Sequence, residues 1–67
     1  MNKFPEKLKE IRLEKGLSRK ELANLMFVNL RTISYWETGE RECNLEQLAK
    51  LSQILKVSTD YLLGLED

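Results

Sequence analysis

Histidine is absent from this chain of 67 residues, and it holds one cysteine, one proline and three glycines. Without histidine, the commonest general base and zinc ligand is missing. A lone thiol, Cys43, cannot staple a small secreted fold, and it fits a reducing cytosol. So little proline and glycine, beside 42% hydrophobic residues, argues against disorder. No apolar run approaches the roughly 20 residues that span a bilayer. The first fifteen residues interleave Lys, Glu and Arg with apolar side chains, unlike a signal peptide. The expectation is a cytoplasmic protein with no membrane partner.

Chemistry is also thinly provided. There is no Gly-rich phosphate loop, the carboxylates are scattered over solvated helix faces, and Cys43 has no base partner. Nothing assembles a nucleophile or an acid–base pair, so an enzyme is excluded. No cofactor, metal or small-molecule ligand is expected. Sixty-seven residues leave room for a single domain, 1–67, and none for a separate sensing domain.

Net charge is zero, yet its distribution is polarised. Residues 1–39 carry eight Lys and Arg against five Glu, and residues 40–67 carry three against six Asp and Glu. A local basic face binds phosphate even when the total is neutral.

Apolar spacing and punctuation predict five helices and no strand. Pro5 suits a first helical position, Phe4, Leu8 and Ile11 line one face, and Gly16 ends the helix. Ser18 and Glu21 form a capping-box pattern opening a second helix, with Leu22, Ala23, Leu25 and Met26 as its apolar side. Asn29 is a good N-cap for a third helix over about 30–38, closed by Gly39. Asn44 with Gln47 opens a fourth helix and Ser58 a short fifth, stopped by Gly64. The expected core is Leu8, Ile11, Leu22, Ala23, Met26, Val28, Ile33, Trp36, Leu48, Leu51, Leu55, Val57 and Leu62.

The second and third helices are short and joined by about three residues, with small Ala23 where they would cross. That is the geometry of a helix-turn-helix. The outer face of the third helix offers Arg31, Ser34, Tyr35 and Thr38, which supply donors, acceptors and a ring rather than core material. Such a helix fits a DNA major groove, where Arg bonds guanine in a bidentate way.

The run Leu17-Ser18-Arg19-Lys20-Glu21-Leu22-Ala23, then Thr32-Ile33-Ser34-Tyr35-Trp36-Glu37-Thr38-Gly39, resembles the Cro/CI-type, or xenobiotic-response-element-type, helix-turn-helix family. Leu45–Leu51 and Val57–Gly64 resemble that family's fourth and fifth helices, so the likeness covers nearly the whole chain. It implies an all-α, five-helix, lambda-repressor-like domain that binds double-stranded DNA as a transcriptional regulator, with repression as the expected role. Carried over by position, it implies that Leu30, Arg31, Ser34 and Tyr35 read bases, the alternatives being a solvated surface side chain for Arg31 and a phosphate contact or packing beside Trp36 for Tyr35. Ser18, Arg19, Asn29, Thr38 and Arg41 contact phosphates. The same resemblance implies that Arg12 and Glu37 form an interior ion pair. One such domain reaches only about half a site, so a homodimer on a pseudo-palindromic operator is expected, with residues 59–65 as its interface because Tyr61 and Leu65 have no evident core partner, and completion of the core as the alternative role of Tyr61.

Two positions depart from the family's pattern. Phe27 stands where Gly is usual in the turn, and Cys43 where Pro is frequent. A large residue does not take a left-handed conformation cheaply, so either the turn widens or Phe27 is an exposed contact. Leu30 offers only apolar contact to a base, and packing on Phe27 is its alternative role. The other functional class is a protein-interaction module of antitoxin-like type, kept open by neutrality and by Leu30 and Phe27.

Overall fold

The computed structural model describes residues 3–66, and these form helices only. They are α1 (Phe4–Glu14), α2 (Arg19–Met26), α3 (Leu30–Thr38), α4 (Leu45–Leu55) and α5 (Thr59–Leu62). α1 opens on Pro5 without a side-chain cap, whereas each of the other four starts is set by a side chain that satisfies an orphan backbone donor. Ser18 Oγ accepts from the Glu21 N–H at 3.0 Å, while Glu21 Oε1 accepts from the Ser18 N–H at 2.9 Å. These Ser18 bonds hold the Glu21 carboxyl below its ordinary range. The Glu21 half of the box is therefore intact above the carboxylate range and lost as pH falls through the lowered value, while the Ser18 Oγ bond persists. Asn44 and Gln47 repeat the box at 2.8 Å both ways, and Asn29 and Ser58 cap α3 and α5 singly.

One core joins all five helices. α1 packs on α3 and α5, α2 on α3 and α4, and α4 on α5. Leu8, Leu22, Ile33, Leu51 and Leu62 are fully enclosed there, with Ile11, Leu55, Ala23, Met26, Trp36 and Phe4 around them. Phe4 is a core residue that the expected set left out. Val28, Leu48 and Val57 lie at the margin instead, half-buried against the cluster. Each sits at or near a helix end, where packing covers one side only. Tyr61 is also packed against the core, with Lys7 Nζ 4.9 Å from its ring centre. It therefore has a place within the domain, and only Leu65 of the pair remains well exposed.

The two ends of the described segment are clipped together. The Lys3 N–H donates to the Leu63 carbonyl at 3.0 Å. A Cβ at Gly64, whose φ is +75°, would lie 2.8 Å from Lys3 Cβ. Gly64 thus serves both the turn and the close approach of the N-terminal strand of chain.

The turn between α2 and α3 does not widen. Phe27 itself takes the left-handed conformation, φ 57° and ψ 42°, and its N–H and that of Val28 bond back to α2. Its side chain is 86% exposed, with Lys50 Nζ 4.5 Å from the ring centre. A left-handed L-residue costs about 1–2 kcal/mol, and an exposed cation–π contact returns about 0.5 kcal/mol. Phe27→Gly should therefore raise the thermal midpoint by about 2–12 °C. A fall in midpoint would show that the ring contributes more than the backbone loses.

Candidate nucleic-acid interface

α3 divides cleanly into two faces. Ile33, Trp36 and Glu37 are buried, whereas Leu30, Arg31 and Thr38 are exposed and Ser34 and Tyr35 half-buried. The outer five are spaced i, i+1, i+4, i+5 and i+8, which makes one stripe along a helix. Nine residues rise about 13 Å, comparable with the roughly 12 Å width of a major groove. The expected base-reading residues Leu30, Arg31, Ser34 and Tyr35 are thus brought to one exposed ridge.

Their local bonds differ. The Arg31 backbone N–H is taken by Asn29 Oδ1 at 2.8 Å, while its guanidinium makes no bond among the described residues. Ser34 Oγ turns back on the Leu30 carbonyl at 3.5 Å. Tyr35 lies beneath Arg41, whose Cζ is 4.9 Å from the ring centre, and the Arg41 N–H donates to the Tyr35 carbonyl at 3.4 Å. Arg41 is therefore drawn from the following loop onto the end of the ridge.

The expected phosphate contacts flank this ridge. Ser18 and Asn29 use their side-chain oxygens as caps, which leaves the Ser18 hydroxyl proton and the Asn29 amide N–H₂ to donate outward. Thr38 Oγ1 is engaged locally, within reach of the Tyr35 carbonyl at 3.3 Å and Glu40 Oε1 at 3.4 Å, one of which takes its single proton. The start of α2 presents first-turn N–H groups, a favourable place for an anion.

Behind the ridge is a buried charge cluster. Arg12 Nε donates to Glu37 Oε2 at 2.7 Å and Arg12 Nη2 to Glu37 Oε1 at 3.3 Å, with side chains 7% and 1% exposed. The expected Arg12–Glu37 ion pair is present, and Arg12 Nη1 also holds the Leu17 carbonyl at 2.8 Å. A third member was not expected: Arg19 Nε donates to Glu37 Oε1 at 3.1 Å. No local pattern signals this contact, since 18 residues separate the partners and only the packing of α2 on α3 joins them.

Elsewhere the molecule offers little chemistry. Burial pushes the Cys43 thiol up, which lowers its thiolate content and its reactivity. Among the described residues no cluster of His, Cys, Asp or Glu could hold a metal ion. None of the helices is long and apolar enough to cross a membrane.

Two short helices, a tight turn and a second helix with one buried and one polar exposed face define a helix-turn-helix protein. A family profile described as Helix-turn-helix matches residues 8–62, and the chain belongs to this family in its Cro/CI-type form. A relative in Bacillus subtilis (strain 168), the SPbeta prophage-derived uncharacterized HTH-type transcriptional regulator YonR, is 42% identical over 60 residues. That match spans 90% of this chain and 56% of the relative, so this chain corresponds to about half of the relative's length. A transcriptional regulator from Listeria innocua superposes with a TM-score of 0.90 at 31% identity, over 100% of this chain and 63% of that one. The P22 c2 repressor protein, solved in complex with a synthetic operator, superposes with a TM-score of 0.87 at 33% identity. It is covered over 96% and this chain over 94%. The lambda-repressor-like, all-α architecture expected from the sequence is therefore the fold of this protein.

Proposed function

We propose that the domain binds double-stranded DNA as a transcriptional regulator, entering the major groove with α3. The observation that carries this reading is the exposed stripe Leu30, Arg31, Ser34, Tyr35 and Thr38, backed by a rigid core and flanked by Arg19 and Arg41. In this reading Arg31 bonds a guanine edge, Leu30 meets a thymine methyl, and Tyr35 and Ser34 complete the base contacts. Ser18, Arg19, Asn29 and Arg41 hold phosphates, with Thr38 joining them once its hydroxyl turns outward. Repression follows if the site overlaps a promoter, because bound protein then occupies it.

The reading includes a homodimer. The molecule measures 27 × 23 × 20 Å, less than the roughly 34–36 Å between half-sites one helical turn apart. One copy therefore reaches one half-site. A cleft of about 470 Å³ combines apolar lining from Phe4, Pro5, Leu48 and Leu63 with the charged Glu6, Arg41 and Glu42, and Leu45, 83% exposed, stands on its wall. A knob beside a hole on one patch suits the self-complementary contact that a two-fold dimer requires. Leu63 belongs to the 59–65 segment, so that segment contributes to this face through Leu63.

Selection of bound duplexes from a random pool tests both parts. The expected winner holds two inverted copies of a short motif, centred about one helical turn apart. A single unpaired motif would remove the dimer, and no enrichment at all would remove the DNA reading. The exposed Phe27 and Leu30 favour a protein partner instead, since contiguous exposed apolar surface marks interaction sites.

A further inference from the structure

We propose that Glu37 is a positioning residue for Arg19. Its buried carboxylate takes Arg19 Nε and so aims the two Nη groups outward as a fixed fork for one DNA backbone phosphate. The inference rests on the DNA reading above and deepens it.

Glu37 is immobile. Arg12 holds both of its oxygens and also holds the Leu17 carbonyl, immediately before the Ser18 cap. The carboxylate is therefore fixed relative to the start of α2. Arg19 is the first residue of α2, and its side chain is 41% exposed while that of Glu37 is 1% exposed. Its Nε is committed inward at 3.1 Å, and no Nη bond is formed among the described residues. Two guanidiniums against one carboxylate leave one net positive charge, at the exposed end. The Arg19 and Lys20 N–H groups, left open in the first turn of α2 once Ser18 takes that of Glu21, favour an anion at the same helix start.

This geometry has a consequence that bare charge does not. Arginine carries five donors on one rigid plane, so it serves the carboxylate with Nε and a phosphate with Nη together. Lysine has one compact ammonium on a flexible stem. Drawn to the buried carboxylate, it is lost to the phosphate. A pre-held fork also loses little side-chain freedom on binding.

The test measures affinity of the full chain for the selected duplex and for a scrambled one across a salt series, with Trp36 fluorescence as the check of folding. Arg19→Lys should lose about tenfold on both duplexes, as one charge-assisted contact is lost, and its salt slope should match that of Arg19→Ala. Glu37→Gln, if folded, should show the same loss with Arg19 still present. Wild-type binding by Arg19→Lys, or no loss in Arg19→Ala, would overturn the inference while leaving DNA binding intact. Absence of any salt-dependent binding by the wild type would overturn the DNA reading and the inference with it.

Discussion

Arg12→Ala is expected to lower the unfolding free energy by about 3–5 kcal/mol, because it strands a buried carboxylate. Glu37 would keep only the partly exposed Arg19, and the Leu17 carbonyl would lose its donor. A chain of this size holds roughly 3–10 kcal/mol in total at the usual stability per residue. The variant should therefore be largely unfolded or within reach of unfolding at room temperature. Trp36, 2% exposed, reports the transition by fluorescence in urea. The paired replacement Arg12→Met with Glu37→Leu should recover most of the loss, since an apolar pair of similar volume is often neutral against a buried ion pair. A cost below about 1 kcal/mol for Arg12→Ala, the range of a surface pair, would show that the cluster does not hold α1 to α3.

The second large effect is on binding. Arg31→Ala should cost about tenfold to a hundredfold in affinity for the selected site, the loss of one bidentate base contact. Stability should stay within about 0.5 kcal/mol of wild type, because the guanidinium makes no bond within the described residues and the Asn29 cap uses only the backbone N–H. Preference should relax at one base pair of each half-site. An equal loss on selected and scrambled duplexes would make Arg31 a phosphate contact instead, since phosphates carry no base identity. Leu30→Ala gives the contrast: discrimination changes and the salt slope does not.

Much of this arrangement was legible in the chain because it is local. Ser18 with Glu21, Asn29, Asn44 with Gln47, and Ser58 each announce a helix start through a bond that spans two or three residues. The apolar stripes then place Leu22, Ile33, Leu51 and Leu62 inside. Arg12 with Glu37 came from a family pattern rather than from spacing, and the structure bears it out at 2.7 Å. What was not legible depends on how helices pack. Arg19 reaches Glu37 across the α2–α3 contact, and Arg41 folds onto Tyr35 from a loop whose path no local motif sets. Phe27 left two outcomes open, and the structure resolves them: the turn keeps its tight left-handed form and the ring is exposed. Lys56 does the same at the end of α4, with φ 57°, where no glycine or asparagine signalled it. The base and phosphate assignments rest on position in a family pattern, and the exposure of the α3 ridge supports them.

The most direct test of the central claim is the affinity of the wild-type protein for the selected duplex across a salt series, beside a scrambled duplex of equal length. With Arg19 and Arg41 of each protomer on phosphates, a dimer neutralises about four, and the logarithm of affinity should fall against that of salt with a slope near −4. The selected duplex should remain tighter than the scrambled one throughout. Affinity for neither duplex, or affinity indifferent to salt, would contradict DNA binding and leave the exposed α3 ridge and Phe27 as a surface for a protein partner.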